Sequence, residues 1–228
     1  MNNPDKNFPI KFKETENILW DWNGTLLNDV DVNLKVINRM LSRRGLKQLY
    51  LASYKNTFCF PVKLFYEQIG IDLEKESFGE AAEEYISDYR SCEDEIGLNA
   101  NASFVLDAFH QKGIRQYILS ACGKEDLMRM INRFDLAGKF QEIYGADDIH
   151  AHGKTETGKI LIQNHSIDPE RTLLIGDTLH DAEVAKAIGI NYILYSGGHN
   201  SYDLLNKESR VITDLKEILT LLRCGSST

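Results

Sequence analysis

Asn17-Ile-Leu-Trp-Asp21-Trp-Asn-Gly24-Thr25-Leu26 is the stretch that decides the fold. A short apolar run that ends on an acid and passes at once into Gly24-Thr25 reads as a buried strand opening into a loop. The pattern recurs downstream, where the run 114–119 ends at Ser120, the run 171–175 ends at Gly176-Asp177, and 192–195 forms a further strand. Helical spacing predicts helices over 102–112, 125–134, 156–164 and 182–188, with Gly113 and Gly189 as stops. Strand and helix alternating in this way predict an α/β chain with a parallel sheet covered on both faces.

Outward from the first strand, Val32, Val36, Ile37, Met40 and Leu41 recur at helical spacing between Val30 and Leu46, and Gly45 offers a stop. Residues 49–96 stay helical and polar-aromatic, with helices over 61–69 and 78–91 and no strand of comparable strength. A helical insertion follows, giving an α/β core of residues 1–27 and 98–228 and a helical unit of 28–97. Phe58, Phe60, Phe65, Tyr66 and Phe78 are expected to form the core of that unit or its face toward the site.

A chain of 228 residues, 43% hydrophobic and 26% charged, can bury a sizeable core. Lys and Arg number 26 against 34 Asp and Glu, a net charge of −8. That lacks the positive field needed to hold a nucleic-acid backbone. No apolar run approaches the ~18 residues that cross a bilayer, so no membrane role is expected. The polar start of the chain and the scattered Cys59, Cys92, Cys122 and Cys224 point to a reduced, cytoplasmic setting. Nothing in the pattern specifies an oligomeric state.

In sheets of this kind ligands bind beyond the carboxyl ends of the strands, which singles out Asp21, Ser120 and Asp177. Acids converging from separate strands repel unless a cation lies between them, and hard oxygen ligands suit Mg²⁺.

Asp21-Trp-Asn-Gly-Thr25-Leu, then Ser120, then Lys154, then Gly176-Asp177-Thr-Leu-His-Asp181 stand in an order that resembles the haloacid dehalogenase superfamily, in its phosphoglycolate-phosphatase-like branch. The resemblance implies a Rossmann-like parallel sheet with an inserted α-helical cap, and Mg²⁺-dependent hydrolysis of a small phosphorylated metabolite. It makes Asp21 the nucleophile that forms an aspartyl-phosphate. It gives the metal to Asp21, the backbone carbonyl of Asn23 and Asp177, steadied by Asp181. Thr25, Ser120 and Ala121 would bind phosphoryl oxygens, and Lys154 would set a cation against nucleophile and phosphate.

One position departs from the pattern. Most phosphatases of this family carry a second Asp two residues after the nucleophile, acting as acid and then base, and here that residue is Asn23. An amide cannot supply the general acid–base assistance of about 10²–10⁴-fold. Three accounts follow: a phosphohydrolase acting on a good leaving group or using another proton donor, a phosphonate-cleaving enzyme, or a phosphate-binding protein with weak or no turnover. His180 is the nearest alternative donor, ahead of His150, His152 and His199, and the phosphonate account needs a cap lysine such as Lys47, Lys55 or Lys63. Asn28 stands where relatives commonly place an acid, and Asp29 follows it. Gly153-Lys-Thr-Glu-Thr-Gly158-Lys159-Ile160 approaches a phosphate-binding P-loop, but Ile160 lacks the hydroxyl for Mg²⁺. His150-Ala-His152 has no further ligands at metal spacing, and Cys122 reads as packing.

Overall fold

The computed structural model describes residues 15–146 and 153–223. The chain enters as β1 (Asn17–Trp20), turns into β2 (Leu27–Asn28) and leaves through α1 (Val30–Arg43), α2 (Leu51–Thr57), α3 (Val62–Gln68) and α4 (Phe78–Ser91). It returns as β3 (Gly97–Leu98), which pairs antiparallel with β2, Leu27 opposite Leu98 and Asn28 opposite Gly97. The four helices are therefore inserted through a two-stranded ribbon whose ends lie side by side. Two-residue strands carry no periodicity of their own, so the ribbon is not legible in the sequence.

Beyond it run α5 (Ala102–Gln111), β4 (Arg115–Gly123), α6 (Lys124–Arg133), β5 (Glu142–Ala146), α7 (Lys154–Asn164), β6 (Thr172–Gly176), α8 (Leu179–Ile188), β7 (Asn191–Tyr195), α9 (Tyr202–Glu208), β8 (Val211–Ile212) and α10 (Glu217–Arg223). Six strands form one sheet in the order β5-β4-β1-β6-β7-β8. Every pairing in it is parallel. This is the Rossmann-like α/β fold, and β1 lies at its centre, where the strand order reverses. Such a switch point opens a crevice at the carboxyl ends of the strands.

Why the strands read as unbroken apolar runs is visible in β1. Ile18 and Trp20 face one layer with Val105, Leu106 and Phe109 of α5 and Leu127, Met130 and Ile131 of α6. Leu19 faces the other with Leu161 of α7 and Val184 and Ala185 of α8. A strand covered on both faces has no solvent side on which to alternate. All three side chains are fully buried, each contributing about 1.5–3 kcal/mol relative to exposure. The indole of Trp20 donates to Gln116 Oε1 at 3.0 Å, so its one polar atom is satisfied within the core.

Some boundaries differ from those read in the sequence. β4 continues to Gly123, so Ser120 lies within it, where the register against β5 shifts. α7 starts two residues earlier than expected, at Lys154. The sequence pattern does not distinguish β5, β8, α2, α9 and α10, because each is short or broken by polar residues. Cys59, Cys92 and Cys122 are free thiols. His150, His152 and Cys224 lie outside the described residues. No helix among the described residues is long and apolar enough to cross a membrane.

Candidate active site

The loop after β1 is a tight crossing that sequence and packing hold in one shape. The carbonyl of Trp22 accepts the backbone N–H of Thr25, Leu26 and Leu27 at 3.2, 3.0 and 2.9 Å. The buried Asn99 amide, just beyond β3, donates to the carbonyls of Gly24, Thr25 and Leu27 at 2.9, 2.9 and 3.2 Å. Gly24 takes φ +75°, and a Cβ there would sit 2.3 Å from Asp177 Oδ2, so conformation and space both require glycine.

This loop and the one after β6 bring together Asp21, Asp177 and Asp181, with one carboxylate oxygen of each lying within 4.8 Å of the others. All three are buried, as is Lys154, whose Nζ donates to Asp21 Oδ1 and Asp181 Oδ1, both at 2.5 Å. Burial raises the Asp21 carboxyl well above the usual range; Lys154 opposes that, and the charges of Asp181 and Asp177 add to it. Burial also raises Asp177, with His199 opposing and Asp181 reinforcing. Asp181 is held low because Lys154 and the Thr178 N–H and hydroxyl outweigh its burial. For Lys154, burial alone would lower the pKa, and the two carboxylates drive it above the ordinary lysine value instead. Asp21 and Asp181 thus share one ammonium group while Asp177 beside them faces the His199 charge and backbone N–H, and the three convergent acids make an arrangement that attracts a further cation.

A second buried cluster lies one turn of chain away. Asp29 Oδ1 accepts the Gly24 N–H at 2.8 Å and lies 3.2 Å from His199 Nε2. Its Oδ2 accepts Asn23 Nδ2 at 2.8 Å, Asn33 Nδ2 at 2.7 Å and the Tyr89 hydroxyl at 2.8 Å. Burial would raise Asp29, but the His199 charge and these donors hold it below the ordinary value. The reverse holds for His199: burial would lower it, and Asp29 lifts it to about 9. His199 also meets the Tyr54 hydroxyl at 2.9 Å through Nδ1 and donates its backbone N–H to Asp177 Oδ2 at 2.5 Å.

Asn23 belongs to this second cluster. Its amide donates both to Asp29 and, at 3.1 Å, to the Tyr89 hydroxyl. The Thr25 hydroxyl donates to Asp177 Oδ1 at 2.8 Å, and both residues are fully buried behind those that line the cavity. The Asp177 carboxylate, poorly compensated by charge, is a stronger acceptor than a hydroxyl partner elsewhere would be, so Thr25 positions the acid.

The cavity above these clusters has a volume of about 490 Å³ and is lined by Asp21, Asn23, Ser120, Ala121, Lys154 and Asp181 among others. Ser120 Oγ accepts the Cys122 N–H at 3.0 Å, which leaves its own hydrogen for a ligand. Cys122 also reaches the cavity, but burial pushes its thiol up to about 12, so it is no thiolate. His180 lies outside the lining, stacked on Phe60 at 4.8 Å and 3.3 Å from Glu183. Lys47 and Lys63 are exposed, and Lys55 donates to the Ser196 carbonyl at 3.0 Å; none lines the cavity. Of the P-loop-like segment only Lys154 enters the site, while Lys159 pairs with Glu156 on the surface. Asn28 is exposed, and Asp29 beside it does the buried work. The Asp29–His199 pairing joins residues 170 positions apart, so no local motif announces it, and Asn99 likewise bears no signal beyond its place after the insertion.

Comparison with known proteins places this geometry. A family model described as haloacid dehalogenase-like hydrolase matches residues 18–195. Tyrosine-protein kinase PtkA of Mycobacterium tuberculosis is 26% identical over 144 residues, 59% of this chain and 48% of that protein. The chain thus matches about half the length of that relative. The solved PtkA structure superposes with a TM-score of 0.77 at 20% identity, covering 92% of this chain and 99% of that one. A 5'-nucleotidase of Pseudomonas aeruginosa is 26% identical over 83% of this chain and 86% of its own. A phosphoglycolate phosphatase of Aquifex aeolicus is 23% identical over 80% and 85%.

Proposed function

The chain belongs to the haloacid dehalogenase-like hydrolase family, and from that premise we propose that it is a phosphohydrolase of small phosphorylated molecules, with Asp21 as nucleophile and residues 28–97 as a cap over the site. The observation that carries this reading is the buried set of Asp21, Asp177 and Asp181 around Lys154 at the switch point of the sheet. Two of the curated relatives are a 5'-nucleotidase and a phosphoglycolate phosphatase, which supports phosphate-ester chemistry.

The donor set fits Mg²⁺: hard carboxylate oxygens converging in one place, with Asp21 and Asp177 raised first by burial and then by the neighbouring carboxylates. Asp21, Asp177 and the Asn23 carbonyl would hold the ion, with Asp181 steadying the set. When bound, it supplies charge neutralisation of the phosphoryl group.

The chain's own residues do the rest. The Asp21 carboxylate forms a bond to phosphorus as the ester P–O bond breaks, and water then cleaves the acyl phosphate, regenerating the carboxylate. Lys154 keeps Asp21 aimed, opposes the protonation that burial favours and offers positive charge to the phosphoryl oxygens. The Ser120 hydroxyl and the Ala121 N–H bind those oxygens. Asn23 donates no proton to the leaving group, because it is an amide whose Nδ2 is engaged by Asp29 and Tyr89.

The test is phosphate release from acetyl phosphate and from phosphomonoesters, with Mg²⁺ or with chelator, by the protein and by Asp21→Asn. Release that chelator abolishes and that falls at least about 10³-fold in the variant is expected. Undiminished release by Asp21→Asn would overturn the reading.

A further inference from the structure

We infer that the substrate is an aryl phosphomonoester, a phosphoryl group on a phenolic oxygen, seated with its ring among the aromatic side chains of α2 to α4. The inference rests on the phosphohydrolase reading above and names its substrate class.

Two independent features point there. The first is the wall facing the polar floor. Phe58, Phe60, Phe78 and Tyr85 line the cavity and are each partly exposed to it, backed by the buried Phe65 and Tyr66. The phenylalanine rings and Tyr66 form one connected surface, Phe58 with Phe60 edge-on at 5.6 Å, Phe58 with Phe65 at 5.2 Å, Phe65 with Tyr66 at 6.2 Å and Tyr66 with Phe78 at 5.8 Å, while Tyr85 stacks on Tyr89. Such a surface gains from a flat apolar ring and loses when it faces water. A two-carbon phosphate would leave most of the 490 Å³ to water against that wall. It would also bring a second anion, and the lysines and arginine lining the cavity all hold partners. Arg90 grips Asp126 through two bonds of 2.9 Å, Lys124 donates to the Ile143 carbonyl, and Lys154 is shared by Asp21 and Asp181.

The second feature is Asn23. With no acid at this position, and with both ring nitrogens of the cavity-lining His199 engaged by Asp29 and the Tyr54 hydroxyl, the leaving oxygen departs carrying its electron pair. A phenol ionises with a pKa near 10, whereas an alkoxide leaving group resembles hydroxide, whose parent water has a pKa of about 15.7. The balanced sequence is bond formation from Asp21 Oδ to phosphorus, cleavage of the P–O(aryl) bond, and departure of phenolate, which takes a proton from solvent. A water oxygen then bonds to phosphorus, the Asp21–phosphorus bond breaks, the water's proton goes to solvent, and inorganic phosphate leaves.

Steady-state kinetics on the full chain with Mg²⁺ test both features, using phenyl phosphate, benzyl phosphate, phosphoglycolate and a nucleoside 5'-monophosphate, with acetyl phosphate as the reference. Benzyl phosphate keeps the ring and restores an alkoxide leaving group. The expected result is a kcat/KM for phenyl phosphate at least about 100-fold above phosphoglycolate, and a benzyl ester with a similar KM but a kcat at least about tenfold lower. Phe60→Ala should raise KM for phenyl phosphate about tenfold more than KM for acetyl phosphate, and Phe60→Tyr should largely restore it. A phosphotyrosyl peptide carries the same group on a macromolecule; turnover of either supports the inference, and their ratio separates a small-molecule from a peptide source. Asp21-dependent release that favours phosphoglycolate or the nucleotide over phenyl phosphate overturns the inference and leaves the phosphohydrolase reading intact. Equal KM rises for both substrates in Phe60→Ala also overturn it. No release from any of them, acetyl phosphate included, overturns both.

Discussion

Asp21 and Asp29 line the same cavity, both buried, and the fold treats them in opposite ways. Around Asp21 three carboxylates converge, only Asp21 and Asp181 reach the Lys154 ammonium group, and burial with repulsion from neighbouring acids drives Asp21 and Asp177 toward protonation. Around Asp29 a single carboxylate collects a backbone amide, two side-chain amides, a phenol and an imidazole, and stays ionised. The first cluster is incomplete without a further cation, which marks it as a place where chemistry occurs. The second is complete, which marks it as scaffold for the loop that carries Asp21. Asn23 is explained by this contrast: it is a donor to Asp29, at a position where an acid would turn the finished cluster into a second unfinished one.

The sharpest way to break the comparison is to make the two clusters alike. Asn23→Asp places a second carboxylate against Asp29 where an amide donated at 2.8 Å. A loss of about 3–4 kcal/mol in urea unfolding is expected at neutral pH. The crowded pair has a folded pKa above its unfolded value, so the deficit shrinks as pH falls and the pair takes up a proton. Adding Asp29→Asn to the same chain should recover most of it. Unchanged stability in Asn23→Asp would show that Asp29 is not saturated in the way described.

A slightly smaller effect tests the same pocket through His199, whose folded pKa of about 9 lies above the unfolded value of about 6.5. Its contribution is fully present below pH ~6.5 and is lost as pH rises through 9, about 3 kcal/mol in all. Unfolding curves between pH 6 and 10 should show that decline, and Asp29→Asn should flatten it.

The strand-end cluster answers to metal. Mg²⁺ at about 100 times its Kd should stabilise the fold by about 2.7 kcal/mol, read as a rise in Tm, and Asp177→Asn should remove the rise. An equal rise in the variant would detach Asp177 from the ion. The smallest effect is Thr25→Val, which deletes the 2.8 Å bond to Asp177 Oδ1. It should cost about 1 kcal/mol and raise the Mg²⁺ concentration needed for half-maximal release.

The two clusters also differ in how far the sequence reveals them. Asp21 and Asp177 each follow a run of apolar residues whose doubly covered strand leaves no alternation, so the pattern marks both the strand and the acid beyond its end. Lys154 and Asp181 follow from the order of motifs, although the helix that presents Lys154 starts two residues earlier than its spacing suggests. Asn33 lies one helical turn beyond Asp29, but Tyr89, on α4 packed against α1, and His199, beyond β7, reach Asp29 from 60 and 170 positions away with no repeated spacing to announce them. Thr25 shows the same limit at short range. Its type and position suggest a phosphate ligand, and only the placement of Asp177 opposite it shows where the hydroxyl goes.

The central claim is that Asp21 takes the phosphoryl group. Acid quenching during turnover of acetyl phosphate or phenyl phosphate, followed by peptide mass mapping, tests it most directly. The account predicts a phosphoryl group on the peptide carrying residue 21, dependent on Mg²⁺ and absent in Asp21→Asn. Phosphate released at full rate with that peptide unmodified at every quench time, or the phosphoryl group found on another residue, would contradict it.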